Sequence, residues 1–163
     1  MYNGSGGKRI MLLRMFTDGA CSSNPGPGGW AVIINLKEGT KIISGNKNNT
    51  TNNYMELMAA KEAIKYFINK EKEHNCDNAR IMSDSAYVVN AINKGWLKKW
   101  SRNGWKTKEG KDIANKNLWR ELYMLLEKDK FNKIRFVKVK GHAGDTFNEM
   151  ADKVAKEEVE KIK

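Results

Sequence analysis

Asp18 stands at the end of a short apolar run, Ile10 to Phe16, broken only by Arg14, and the chain repeats the arrangement at Ile81-Met82-Ser83-Asp84. An acid at the end of a buried strand, followed by a loop that can approach a ligand closely, usually serves a site. Taken alone, each Asp is read equally well as capping its own turn. Glu56 lies in the first turn of the first long helical segment, on the side bordering its apolar stripe, and Asp152 flanks Ala151 and Ala155 in the last one. Singly, Glu56 is a helix-start acid favoured by the helix dipole and Asp152 is surface charge. Together they read differently. If the strands that end at Asp18 and Asp84 are parallel neighbours, their carboxyl ends lie about 5 Å apart, at the edge where open α/β sheets place ligands. Four carboxylates gathered there repel one another and are driven to protonate unless a cation neutralises them. Hard divalent ions take oxygen ligands, and Mg²⁺ suits such a site best when a phosphate supplies further oxygens. His142, in the glycine-flanked loop Lys138-Val-Lys-Gly-His-Ala-Gly-Asp145, is ordinary surface on its own but a candidate proton carrier beside such a cluster. His74, in a polar stretch, reads as surface.

Those acids need a scaffold, and 163 residues with a hydrophobic fraction of 40% suffice for one domain with a proper core. Residues 1–7, polar and glycine-rich, read as a flexible leader or cloning remnant, leaving 8–163 as the folded domain. Strands are expected at 8–17, 29–36 and 40–46, the close spacing making an antiparallel meander. The turn-rich Asn24 to Gly29 is expected to be free of any ladder, and 46–53 to be a loop leading into a helix over 54–70 with Leu57, Ala60, Ile64 and Phe67 on one stripe. A fourth strand at 79–83, a short helix at 85–93, a helix at 112–128, a fifth strand at 133–139 and a last helix at 146–160 complete the reading. In the fifth strand Ile134 and Phe136 point inward, with Val137 a further inward candidate. The class is α/β: a mixed five-stranded sheet flanked by helices, with strands four and five parallel to strand one because helices or long connections separate them.

The net charge of +11 biases partners towards polyanions. No stretch pairs a strong apolar face with a lysine-rich one, and no apolar run approaches a membrane span, so nucleic acid is favoured over membrane. Cys21 and Cys76 are isolated thiols, as expected of a reducing, cytoplasmic setting without disulfides. From Lys94 to Lys108 the chain carries three of its five tryptophans and six basic residues with no acid. Cations beside rings that can stack grip a nucleic-acid backbone without reading sequence. Trp96 and Trp105 keep an alternative role in the core, and Trp100 is the weaker core candidate.

The motifs Phe16-Thr-Asp18-Gly-Ala-Cys-Ser-Ser-Asn24-Pro-Gly-Pro-Gly-Gly, Thr51-Asn-Asn-Tyr-Met-Glu56, Ser83-Asp84-Ser-Ala-Tyr-Val, the Trp96/Trp100/Trp105 segment, Lys140-Gly-His142-Ala-Gly and Asn148-Glu-Met-Ala-Asp152 occur in order from about residue 9 to 155. In this the chain resembles ribonuclease H of type 1. The resemblance implies the ribonuclease H fold and hydrolysis of the RNA strand of an RNA–DNA hybrid, giving 5′-phosphate and 3′-hydroxyl ends. It makes Asp18, Glu56, Asp84 and Asp152 ligands of two Mg²⁺ ions, with Mn²⁺ as the alternative, and gives His142 a part in proton transfer or product release. It places Asn24, Asn52 and Asn53, with Cys21 beside them, in the minor groove, where the 2′-hydroxyl marks RNA. Thr51 and Asn115 would hold a DNA phosphate. Trp96, Lys98, Lys99, Trp100, Arg102, Trp105 and Lys106 would form the substrate-binding protrusion. Related enzymes often carry an Arg two residues before the Thr51 position, where this chain has Asn49, and Asp145 adds an acid to the histidine loop. A free-standing monomeric enzyme without a preceding hybrid-binding domain is expected. The other readings are a non-catalytic nucleic-acid-binding domain of the same fold and the corresponding domain of a reverse transcriptase.

Overall fold

The computed structural model describes residues 11–74, 77–141 and 145–163. Three strands, β1 (Leu12–Cys21), β2 (Gly26–Leu36) and β3 (Gly39–Thr50), form the expected meander. Then follow α1 (Asn52–His74), β4 (Asn78–Ser83), α2 (Ala86–Asn93), α3 (Trp96–Arg102), α4 (Lys116–Glu127), β5 (Ile134–Lys138) and α5 (Thr146–Ile162). The sheet order is β3-β2-β1-β4-β5, with β1 antiparallel to β2 and parallel to β4, and β4 parallel to β5. Strand alternation divides the core. Leu13, Met15, Val32, Ile34, Ile81 and Phe136 belong to the larger core with α1, α2 and α4, whereas Phe16, Ile33 and Met82 pack with Ala151 of α5. Phe147 stacks on Phe16 with ring centroids 5.1 Å apart, anchoring the start of α5. All four residues of the predicted α1 stripe are buried.

Several element boundaries differ from expectation. β1 does not stop at Thr17 but runs to Cys21, because the glycine-rich segment Gly26–Gly29 pairs with it (Ala20↔Gly29, Cys21↔Gly28). β3 likewise continues to Thr50, so most of the expected 46–53 loop is strand. Helix α1 begins at Asn52 because the Thr51 carbonyl accepts from Met55 N at 3.1 Å and its hydroxyl accepts from Tyr54 N at 3.2 Å. Glu56 therefore sits in the second turn, not the first. Residues 112–115 are not helical: Asp112 bridges Lys106, and Asn115 takes a left-handed φ of 59° before α4 starts. The tryptophan segment holds an extra short helix, α3. Val137 faces out, as alternation next to buried Phe136 requires.

Helix α5 is held at both ends. Asp145 caps its start, accepting from Phe147 N at 2.9 Å and Asn148 N at 3.1 Å, which gives this extra acid a structural role. Near the other end, buried Glu158 accepts from Ser44 Oγ at 2.6 Å, Asn46 Nδ2 at 2.8 Å and Lys161 Nζ at 2.9 Å. Burial pushes the Glu158 carboxyl up, but those donors outweigh it and hold it below its usual range. Between the two anchors α5 crosses β2 at Gly29, where a Cβ would lie 2.3 Å from the Ala155 carbonyl and 2.7 Å from Glu158 Cβ. Gly29→Ala is therefore expected to lift α5 off the sheet and cost about 2 kcal/mol, in the range of other overpacked positions. The shift of the urea midpoint checks this; an unchanged midpoint would show that the helix yields freely.

Candidate active site

Parallel pairing of β1 with β4 ends at Phe16↔Met82. Two residues further along stand Asp18, within β1, and Asp84, just past the end of β4, at the carboxyl edge of the sheet. Glu56 joins them because α1 lies directly on β1 at Gly19, where a Cβ would fall 2.5 Å from Glu56 N. Only a residue without a side chain allows that approach. The result is a group of carboxylates from Asp18, Glu56 and Asp84 whose ligand-type oxygens all lie within 4.8 Å of one another. Asp152 of α5 lines the same cleft as Asp18 and Asp84 and interacts with Asp18. Its own carboxylate is paired with Lys156 at 2.9 Å.

Asp18 and Glu56 are 9% and 6% exposed. Burial, then the Asp84 and Asp152 charges, pushes the Asp18 carboxyl up to about 7 despite a hydrogen bond from Gly19 N. Burial, then Asp18 and Asp84, raises Glu56 well above the ordinary carboxylate range. Glu56 Oε2 is buried without a hydrogen-bond partner. An orphaned acceptor inside a cluster of mutually repelling acids fits a hard divalent cation, which satisfies the oxygen and removes the repulsion together. Asp18, Glu56 and Asp84 are thus the residues that could hold metal, and Asp152, outside that 4.8 Å group, lines the cleft beside them. Asn148 and Glu149 also line the cleft; they belong to the motif that ends at Asp152, about one helical turn further on, and were not among the candidate site residues. His142 lies outside the described residues.

The other candidate residues fall in two places. Cys21 Sγ lies within hydrogen-bonding distance of the carbonyls of Ser23, Gly26 and Thr50, at 2.8, 3.4 and 3.3 Å, where the β1–β2 turn meets the end of β3. Asn24 Oδ1 accepts from Asn52 N at 2.9 Å, so Asn24, Thr51, Asn52 and Asn53 gather at the start of α1, the helix that carries Glu56. The second place is the basic segment. Trp96 is its open ring, 41% exposed, with Lys94 Nζ 5.8 Å from the ring centroid. Trp100, expected to be the weaker core candidate, instead packs edge-on against buried Trp119 at 5.4 Å, and Trp105 meets Tyr123 at 5.7 Å. Lys98, Lys99 and Arg102 are exposed, whereas Lys106 is paired with Asp112 at 2.7 Å. Asn115 Nδ2 donates to Tyr87 Oη at 3.1 Å, and that hydroxyl also accepts from Trp119 Nε1 at 2.8 Å. Tyr87 belongs to the Ser83-Asp84-Ser-Ala-Tyr-Val motif, but nothing in the sequence links it to a residue 28 positions away.

The RNase H family model matches residues 12–160. Ribonuclease H of Syntrophomonas wolfei is 47% identical over 148 residues, covering 91% of this chain and 96% of the relative. Among solved structures, LC9-RNase H1, a type 1 RNase H with the type 2 active-site motif, superposes with a TM-score of 0.74 at 26% identity, over 96% of this chain and 75% of that one. LC11-RNase H1, solved in complex with an RNA/DNA hybrid, gives a TM-score of 0.66 at 20% identity over 91% and 97% of the two chains.

The raised Asp18 carboxyl has a measurable sign. Its ordinary value is 3.8 and its folded value about 7, so the folded state holds a proton that the unfolded chain releases. Stability from this group is lost as pH rises through that window and stays lost above it. In EDTA, the wild type should lose more melting temperature between pH 5 and pH 8 than Asp18→Asn does. Parallel melting curves would contradict a strained acid cluster.

Proposed function

The chain belongs to the ribonuclease H family, and on that premise we propose how its own residues carry out the family's reaction, hydrolysis of the RNA strand of an RNA–DNA hybrid. The observation that carries the reading is the cluster of Asp18, Glu56 and Asp84, each from a different element, with oxygens within 4.8 Å. A protein that only bound a polyanion would be weakened by acids placed against its ligand, which argues against the non-catalytic reading.

Asp18, Glu56, Asp84 and Asp152 would hold two Mg²⁺ ions, or Mn²⁺ in their place. Bound there, such ions would supply Lewis acidity to an attacking water and to the leaving 3′ oxygen, the chemistry that leaves 5′-phosphate and 3′-hydroxyl ends. The protein's part is to hold the four carboxylates rigidly at the junction of β1, β4, α1 and α5, so that binding the ions costs little reorganisation. The ion pair with Lys156 orients Asp152. His142 would carry a proton or assist product release.

Asn24, Asn52 and Asn53 would line the minor groove near Glu56, where the 2′-hydroxyl is read, with Cys21 fixing the turn behind them. The Asn24–Asn52 hydrogen bond supports their acting as a unit. Thr51 and Asn115 would take a phosphate of the DNA strand. Trp96, Lys98, Lys99 and Arg102 would grip the backbone, while Trp100, Trp105 and Lys106 shape that segment from below. We assign the reaction to a single catalytic domain, 8–163, acting as a monomer in the cytoplasm. Among the described residues no helix is long and apolar enough to cross a membrane.

A labelled RNA–DNA hybrid should be cut in its RNA strand with Mg²⁺ and not with EDTA, while RNA–RNA and DNA–DNA duplexes stay intact. Asp84→Asn should lower the rate on the order of 10³-fold, about 4 kcal/mol, with the fold retained; undiminished turnover would remove Asp84 from the site. Neutralising Lys98, Lys99 and Arg102 together should weaken hybrid binding and flatten its salt dependence by a slope of up to about 3, with the cleavage step at saturation preserved. An unaltered affinity and slope would mean that the substrate does not reach α3.

A further inference from the structure

Arg14 of β1, Arg80 of β4 and Arg135 of β5 are direct neighbours across the sheet, Arg14 paired with Arg80 and Arg80 with Arg135. All three side chains are exposed, on the face that carries Phe16 and Met82 under α5. With strands about 4.8 Å apart, the row spans about 10 Å. Like charges placed directly opposite on a sheet destabilise it, yet no hydrogen bond or ion pair to any of the three arginines occurs among the described residues. The acids at this end of the sheet are used elsewhere. Asp77 accepts from Met11 N at 3.0 Å, and Asp129 accepts from Lys133 N at 2.9 Å and Ile134 N at 2.8 Å. The β2 residue opposite Arg14 is the neutral Asn35. The row borders a recess of about 470 Å³ that Leu12, Asn78 and Lys133 complete.

This row is not part of the catalytic cleft. Arg14 and Arg80 each precede their strand's carboxylate, Asp18 and Asp84, by four residues, about 13 Å along the strand. Between the two rows lie Phe16 and Met82, packed against α5. One sheet face thus carries acids at its carboxyl edge and arginines towards its amino edge, with an apolar divider.

We propose that Arg14, Arg80 and Arg135 form a second nucleic-acid docking surface, which binds the phosphate backbone outside the catalytic cleft. Guanidinium forks match phosphate oxygens in pairs. A 10 Å row spans about three nucleotide steps at 3.4 Å per step, and three neighbouring positive charges with no counter-ion among the described residues are complementary to that ligand. The choice of nucleic acid over an acidic protein rests on the catalytic reading above, since the substrate itself brings phosphate to this chain.

The test separates the two readings. R14Q/R80Q/R135Q should cut a hybrid of about eight base pairs with unchanged kcat, which reports on the catalytic site alone. In EDTA, its affinity for a 30-base-pair hybrid should fall at least 10-fold, and the slope of log K against log salt should drop by about 2–3. R14K/R80K/R135K, which keeps the charges, should recover most of the slope, and serves as the folding control together with the melting temperature. Long-hybrid binding and slope equal to wild type would overturn the proposal. So would loss of binding to poly-glutamate with hybrid binding intact, which would assign the row to an acidic protein instead. Failure of the wild type to cut the short hybrid would overturn the catalytic reading, while the binding arm still decides the arginine row.

Discussion

Electrostatic repulsion among carboxylates is the constraint around which this molecule is built. Asp18, Glu56 and Asp84 would separate if they were free to do so, and burial makes the charges of Asp18 and Glu56 more costly still. They stay together because each belongs to a rigid element packed by other forces: Asp18 to a strand paired on both sides, Glu56 to a helix whose Leu57, Ala60 and Ile64 are wholly buried, and Asp84 to the end of a strand buried between two others. The apolar core therefore stores an arrangement of charge that a bound divalent ion would relax, which would couple metal affinity to folding stability.

Close backbone approach is the second requirement. At Gly19 helix α1 comes near enough to β1 for Glu56 to join Asp18, and at Gly29 helix α5 settles on β2. The polar anchors of α5, Asp145 at its start and Glu158 near its end, fix where along the sheet Asp152 arrives. A few hydrogen bonds far from the chemistry thus set the fourth carboxylate, in the way that supporting contacts orient the direct ligands of many metal sites.

The charge distribution is organised on the same principle of separation. The chain carries 30 basic against 19 acidic residues, yet among the described residues the only ion pair made by the four acids is Lys156 with Asp152. Other cations project elsewhere: Lys98, Lys99 and Arg102 from α3, and Arg14, Arg80 and Arg135 across the sheet. A basic protein can so attract a polyanion over long range while keeping its carboxylates available to cations.

Much of this was legible in the sequence. Apolar runs ending in Asp18 and Asp84 mark strands whose parallel pairing follows from the length of chain between them, and the Leu57-Ala60-Ile64-Phe67 stripe places Glu56 beside the core. Local patterns of this kind carry the element types because side-chain periodicity follows backbone periodicity. What the tertiary structure decided depends on partners remote in sequence. Gly26 to Gly29 has no strand propensity and becomes a strand because β1 offers it a ladder. Trp100 turns inward because Trp119 is there to receive it, leaving Trp96 as the open ring. Tyr87 matters through Asn115 and Trp119, and Glu158 through Ser44 and Asn46. The alignment of Arg14, Arg80 and Arg135, far apart in the chain, exists only once three strands take one register. Residue types determine which chemistry the chain can perform; strand register and close packing of backbone determine which residues meet to perform it.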